Sequence, residues 1–112
     1  MTKKSEITFN IELDEKNLPE KIKWKATDLN EEQWNECKSI MLSLWDHTEN
    51  NTLRIDLWTK DFKVDEMDQH FFQTLMTLSE TYKKATNNDF IVEEMKKFCN
   101  AMAKRISEEG KK

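Results

Sequence analysis

Ser5-Glu6-Ile7-Thr8-Phe9-Asn10-Ile11-Glu12-Leu13 alternates along its length. Ile7, Phe9, Ile11 and Leu13 fall on one side, and Thr8, Asn10 and Glu12 on the other. A period of two predicts a half-buried strand. Asp14-Glu15-Lys16-Asn17-Leu18-Pro19 has the composition of a turn. Beyond it, Ile22, Trp24 and Ala26 alternate with Lys21, Lys23 and Lys25. This is a second strand, and the two strands form a hairpin. A lysine row after a proline suits a sheet edge, because charge discourages pairing with a foreign strand. Glu12 can pair with these lysines across the hairpin.

Working outward, a helix is expected from Asn30 to about His47. Asn30 can cap it and Gln33 stands at the spacing of a capping box. Glu31 and Glu32 suit the positive end of a helix dipole. Trp34, Cys37, Met41, Leu44 and Trp45 recur at three and four, as one apolar stripe. Thr48-Glu49-Asn50-Asn51 is a loop, and Thr52–Lys60 is a third strand with Leu53, Ile55 and Leu57 inward. A second helix is expected over Val64–Asn87, with Val64, Met67, Phe71, Leu75, Leu78 and Tyr82 on its core side. A third runs over Asp89–Glu108, with Ile91, Met95, Phe98, Met102 and Ile106 inward. The fold class is therefore α+β in the order β-β-α-β-α-α. A three-stranded antiparallel sheet in strand order 2-1-3 is expected, with the first strand central and one face covered by helices. The strand–helix–strand crossover would be right-handed. Residues 1–112 are read as one α+β domain with frayed ends at 1–4 and 109–112.

The chain has 112 residues, a length at which one core forms without disulfides or metals. Charged residues make up 36% and hydrophobic ones 37%, but the apolar set includes four Trp, six Phe and six Met. The apolar patterning and these large side chains mark a folded chain with a solvated surface rather than a disordered one. The net charge is −4, with 18 basic residues interleaved among 22 acidic ones. That pattern speaks against nucleic acid and against an anionic membrane surface as partners. No apolar run is long enough for a signal peptide or a spanning helix, so no integral membrane segment and a cytoplasmic location are expected. Cys37 and Cys99 sit at apolar positions and read as buried free thiols.

No cofactor and no metal are expected. Phosphate-cradling loops need glycine, and the only glycine is Gly110 in the tail. His47 and His70 lack companions at metal-ligand spacing. Asp56, Asp61, Asp65, Glu66 and Asp68 read as a solvated strand end and an acidic helix start rather than as an acid–base pair. Trp58 is the residue that stands out. Alternation puts it on the outer face of the third strand with Arg54 and Asp56, and Trp and Arg are the residues of interface hot spots. Arg54, Asp56 and Trp58 are the candidate partner-binding set. The alternative for Trp58 is shielding under a helix end or under the Asp61–Val64 segment. Strand addition at this edge is a further option, and the surplus apolar residues Phe72 and Met76 leave a helix-mediated homodimer open.

Several segments resemble one family. They are Lys3–Asp14, Pro19–Trp24, Leu44–His47, Asp56–Asp61, Val64–Met67, Phe72–Leu75 and Ala85–Asn87. In this order they are similar to the gliding-motility-associated protein GldC family of Bacteroidota. The resemblance implies an accessory role in surface gliding, linked to the type IX secretion machinery and carried out through a protein partner. It implies no enzymatic activity. Two other readings stand beside it: a chaperone-like export or assembly factor binding clients through apolar helix surface, and an enzyme whose site is assembled in space.

Overall fold

The computed structural model describes residues 3–28 and 33–110. The strands are β1 (Ile7–Leu13), β2 (Pro19–Ala26), β3 (Asn35–Cys37), β4 (Ser39–Trp45) and β5 (Thr52–Trp58). The helices are α1 (Val64–Thr86) and α2 (Asp89–Gly110). Two compact units divide the chain, one ending at Phe62 and the other beginning at Lys63.

The first unit holds two antiparallel sheets, β1-β2-β3 and β4-β5. The α+β class, the antiparallel pairing and the β1–β2 hairpin match the sequence reading. The expected first helix does not form. Its apolar stripe lies instead on β3, β4 and the segment before them, and its Asn30 cap with Glu31 and Glu32 lies outside the described residues. The reason is a double pattern. Trp34, Cys37, Met41, Leu44 and Trp45 fit a helix, but Ile40, Leu42 and Leu44 also alternate with Ser39, Met41, Ser43 and Trp45. The loop that follows makes the second pattern one arm of a hairpin. Pairing with β5 from Ser39↔Trp58 to Trp45↔Thr52 decides in favour of the strand. The strand–helix–strand crossover falls with the helix.

The three-stranded sheet is thus completed by β3 rather than by β5, and its middle strand is β2. β1 is an edge. Register places Phe9 opposite Trp24, and Ile11 opposite Ile22, whose other neighbour is Cys37. Ile22 is fully buried at the centre of this face. The lysine row of β2 is central, not an edge guard. It sits on the opposite face, where Lys23 lies 3.8 Å from Glu12 and pairs in register with Glu36. Lys25 stands 4.6 Å above the Trp34 ring, a cation–π contact. A central strand keeps such charges when only one face of its sheet is buried and neighbouring strands supply carboxylates.

Asparagine supplies the left-handed backbone that the turns need. Asn17, Asn50 and Asn87 have φ of 64°, 54° and 54°, a region that Asn tolerates better than other side chains do. Asn17 closes the β1–β2 turn, donating to the Asp14 carbonyl at 3.0 Å. Asn50 lies in the β4–β5 turn. There the Asp46 carboxylate accepts from the backbone N–H of Glu49 at 2.7 Å and of Thr48 at 3.1 Å. These bonds hold its pKa below the usual carboxylate value. His47 therefore belongs to a hairpin turn and not to a helix end.

The second unit is a helical hairpin. The Glu66 carboxylate accepts from the Lys63 N–H at 3.1 Å at the start of α1. Asn87 ends α1 in the left-handed region and donates to the Lys83 carbonyl at 2.8 Å. Asn88 begins α2, its side-chain oxygen accepting from Ile91 N–H at 3.3 Å. Both helices start where the sequence places them, and α2 extends through Glu109 and Gly110, which were expected to fray. Ser79, Val92 and Cys99 are buried. Small side chains let the helices approach closely, and the Ser79 hydroxyl is satisfied by the Met76 carbonyl at 2.7 Å. Cys99 is a buried free thiol, as expected. Cys37 is free and half-buried, and burial pushes its pKa up.

Two stability changes follow. Ile22→Ala is expected to cost about 2–5 kcal/mol by denaturant unfolding, the range for deleting a fully buried aliphatic side chain. Asn87→Gly should hold or raise the melting temperature, whereas Asn87→Ala should lower stability by about 1 kcal/mol, because only glycine removes the left-handed penalty.

Candidate functional site

The β4–β5 hairpin has two unlike faces. Cross-strand register puts Ile40, Leu42 and Leu44 with Leu57, Ile55 and Leu53 on one of them. The other carries Met41 opposite Asp56, Ser43 opposite Arg54, and Trp58 and Trp45 at its two ends. The three sequence-selected residues, Arg54, Asp56 and Trp58, therefore do share a face. Trp58 is not shielded: it is 52% exposed, and Trp45 is 68% exposed. Arg54 and Asp56 are exposed and make no ion pair or side-chain hydrogen bond among the described residues.

Trp45 and Met41 join this face although the sequence reading placed both in a helix. The alternation of residues 39–45 was the signal that could have found them. It puts Met41 and Trp45 in phase with Ser39 and Ser43, away from Ile40 and Leu42.

At the Trp58 end the face opens into an apolar cleft of about 360 Å³, lined by Leu18, Pro19, Asp56, Leu57, Trp58 and Lys60. The β1–β2 turn makes its other wall, held in place by one carboxylate. Asp14 accepts from the N–H of Lys16 at 2.8 Å and of Leu18 at 3.0 Å through Oδ1. Its Oδ2 accepts from Lys60 Nζ at 2.9 Å. The Lys60 ammonium also lies 3.4 Å from Glu20, and the Lys60 N–H donates to the Pro19 carbonyl at 3.3 Å. One residue earlier, buried Thr59 donates its N–H to the Lys38 carbonyl at 2.8 Å and its hydroxyl to Asp61 at 2.6 Å. The cleft is thus a junction of β2 with the end of β5, fastened from both sides.

The Lys60 ammonium and then the Leu18 N–H pull the Asp14 pKa down from 3.8 to about 2. The same pair, Asp14 first, raises that of Lys60. Thr59 lowers the Asp61 pKa, helped by Lys38 at 3.9 Å. Of the carboxylates noted in the sequence, Asp61 and Glu66 serve as local hydrogen-bond acceptors. Asp56 alone lines the cleft. Neither histidine lines it. One free carboxylate, one already paired lysine and four apolar side chains make a seat for an apolar group. They do not make a nucleophile with its base. Among the described residues no group of three or more His, Cys, Asp or Glu is placed to hold a metal ion, and no helix is long and apolar enough to cross a membrane.

Taken together, these features define a small α+β protein with two antiparallel sheets, a helical hairpin, and an aromatic, charge-bearing hairpin face beside an apolar cleft. The family model described as "Gliding motility-associated protein GldC-like" matches residues 19–108, and the chain belongs to that family. It is a gliding motility-associated protein in that sense, as the resemblance implied. No curated protein and no solved structure gives a match.

The Asp14 junction has a pH signature. A carboxyl whose pKa is lower in the folded chain contributes stability that is fully present above its unfolded value near 4 and lost as pH falls toward 2. Stability measured by denaturant unfolding should therefore drop between about pH 4 and pH 2. Asp14→Asn should be less stable at neutral pH and show a shallower drop over that window. An unchanged slope in this variant would mean that Asp14 does not hold the turn.

Proposed function

We propose that the chain is a non-enzymatic accessory protein of gliding motility that works in the cytoplasm of a Bacteroidota cell by binding one protein component of the gliding and secretion machinery. Its contact surface is the mixed face of β4–β5. Arg54, Asp56 and Trp58 are its core, extended by Trp45 and Met41. The observation that carries this reading is the half-exposed Trp58 beside an apolar cleft, with two unspent opposite charges on the same face. An exposed Trp ring offers a large, rigid contact area, and unpaired charges set the register of a partner. The cleft lining supports binding over catalysis, because an apolar seat with one carboxylate holds a side chain but does not activate a bond.

A chaperone-like export or assembly factor is the second reading. It is favoured by the exposed Phe71, Leu78, Phe90 and Phe98 of the helices, since large apolar helix surface suits varied clients.

Affinity capture from native extract separates the two. The expected result is one stoichiometric motility or secretion component, lost with Trp58→Ala while the circular dichroism spectrum is unchanged. Arg54→Glu should weaken capture and alter its salt dependence. Capture of many unfolded clients, insensitive to Trp58→Ala, would establish the chaperone reading instead.

A further inference from the structure

The β4–β5 ribbon has an open long edge, and backbone hydrogen bonds show which residues line it. Asp46 N–H donates to the Asn51 carbonyl at 2.9 Å, and Thr59 N–H to the Lys38 carbonyl at 2.8 Å. These bonds close the two ends of the β4–β5 register. Backbone groups alternate in direction along an antiparallel strand. Leu53, Ile55 and Leu57 therefore turn their N–H and C=O groups toward β4. Arg54, Asp56 and Trp58 turn theirs away from it. Lys60, next in that series, keeps the phase: its N–H reaches outward to the Pro19 carbonyl at 3.3 Å. Among the described residues, β5 has no strand neighbour in its sheet but β4.

Sheet edges are commonly guarded against foreign strands by brevity, irregular register, proline or lysine. The register of β1 breaks at Glu12/Leu13, and β3 is three residues long. β5 has none of these devices. It runs for seven residues in unbroken register, without Pro, Gly or Lys. Leu53 is 51% and Ile55 49% exposed. β4, the other edge of the ribbon, is as long but carries no charge to set a register.

Leu53-Arg54-Ile55-Asp56-Leu57 is self-complementary. Laid antiparallel on itself about Ile55, it sets Arg54 opposite Asp56, Ile55 opposite Ile55 and Leu53 opposite Leu57. The backbone agrees, because the residues that meet at 54 and 56 are those whose N–H and C=O groups point outward. A shift of two residues is the smallest that keeps this phase. It would set Arg54 against Arg54 or Asp56 against Asp56, and like charges directly opposite are destabilising.

We propose that a second copy of the chain adds to β5 in this register, joining two ribbons into one four-stranded sheet about a two-fold axis. Backbone hydrogen bonds and two Arg54–Asp56 pairs carry the contact. The apolar cleft supplies room at each end, since Leu57 and Trp58 line it and Leu53 of the incoming copy arrives opposite Leu57. Thr52 of that copy meets Trp58, a β-branched residue against an aromatic one. The inference rests on the reading of this face as a contact surface and deepens it. Trp45, Trp58 and Met41 of both copies come to lie on one side of one sheet, where a protein partner can reach them.

Sedimentation equilibrium of the full chain across the micromolar range tests the pairing. The expected mass is twice the 13.5 kDa of one chain. Arg54→Asp makes both positions acidic, and Asp56→Arg makes both basic. Each should raise the dimer dissociation constant about tenfold or more with circular dichroism unchanged. An equimolar mixture of the two variants should recover the dimer, because each then meets the opposite charge at both positions. In the unaltered chain, the Arg54 and Asp56 amides should exchange hydrogen more slowly as the dimer forms, a readout that needs no variant to fold. A wild-type mass of one chain throughout the range overturns the proposal, as does a dimer that both charge variants leave intact. Protection of these amides only on adding the captured motility component also overturns it and gives the edge to that partner. A dimer with the expected charge dependence that captures no component upholds the pairing and refutes the partner reading alone.

Discussion

The Asp14 carboxylate organises the first unit. A single side chain gathers two backbone N–H groups of its own turn and the Lys60 ammonium from beyond β5. The turn is closed by local bonds. The ion pair then ties a hairpin of the three-stranded sheet to the strand that leaves the two-stranded one. Backbone bonds from Lys60 to Pro19 and from Thr59 to Lys38 run alongside. The cleft beside Trp58 exists because these fastenings hold Leu18 and Pro19 across from Leu57 and Trp58. An exposed ion pair is a weak source of stability. Its value here is positional, because it sets which side chains face each other.

Pairing of β4 with β5 gives the candidate surface its composition. β5 alone offers one Trp and two opposite charges on its outer side. β4 adds a second Trp and a Met in register, so the face is framed by aromatics at both ends. The other face of the same hairpin is purely aliphatic. A two-stranded ribbon with one aliphatic face and one aromatic, charged face is poorly stable alone. That is why its attachment to the β1–β2 hairpin through Lys60, by way of Asp14 and Pro19, matters to function as well as to folding.

In the helical unit, small residues rather than large ones occupy the buried line. Ser79 and Cys99 permit close approach, and the larger residues next to them are displaced by one position onto an open side. A rotation of one residue, about 100° around a helix, separates a packed stripe from a presented one. Periodicity shows that a stripe exists. It does not say which of two adjacent lines is turned toward the neighbour.

The sequence by itself determined the local features of this protein. They include the α+β class, the β1–β2 hairpin, both long helices, the alternation of β5 and the family resemblance. Each depends on contacts within a few residues, or on a period that only one element satisfies. Tertiary structure decided what residues 33–47 become, because that stretch satisfies a helical period and a strand period at once. Only a partner strand breaks the tie, with hydrogen bonds running the length of β4. That choice moved β1 to an edge and the lysines of β2 to the middle of the sheet, and it set Trp45 beside Arg54, Asp56 and Trp58. Long-range pairing carried this information, and no window of sequence contains both strands' hydrogen bonds.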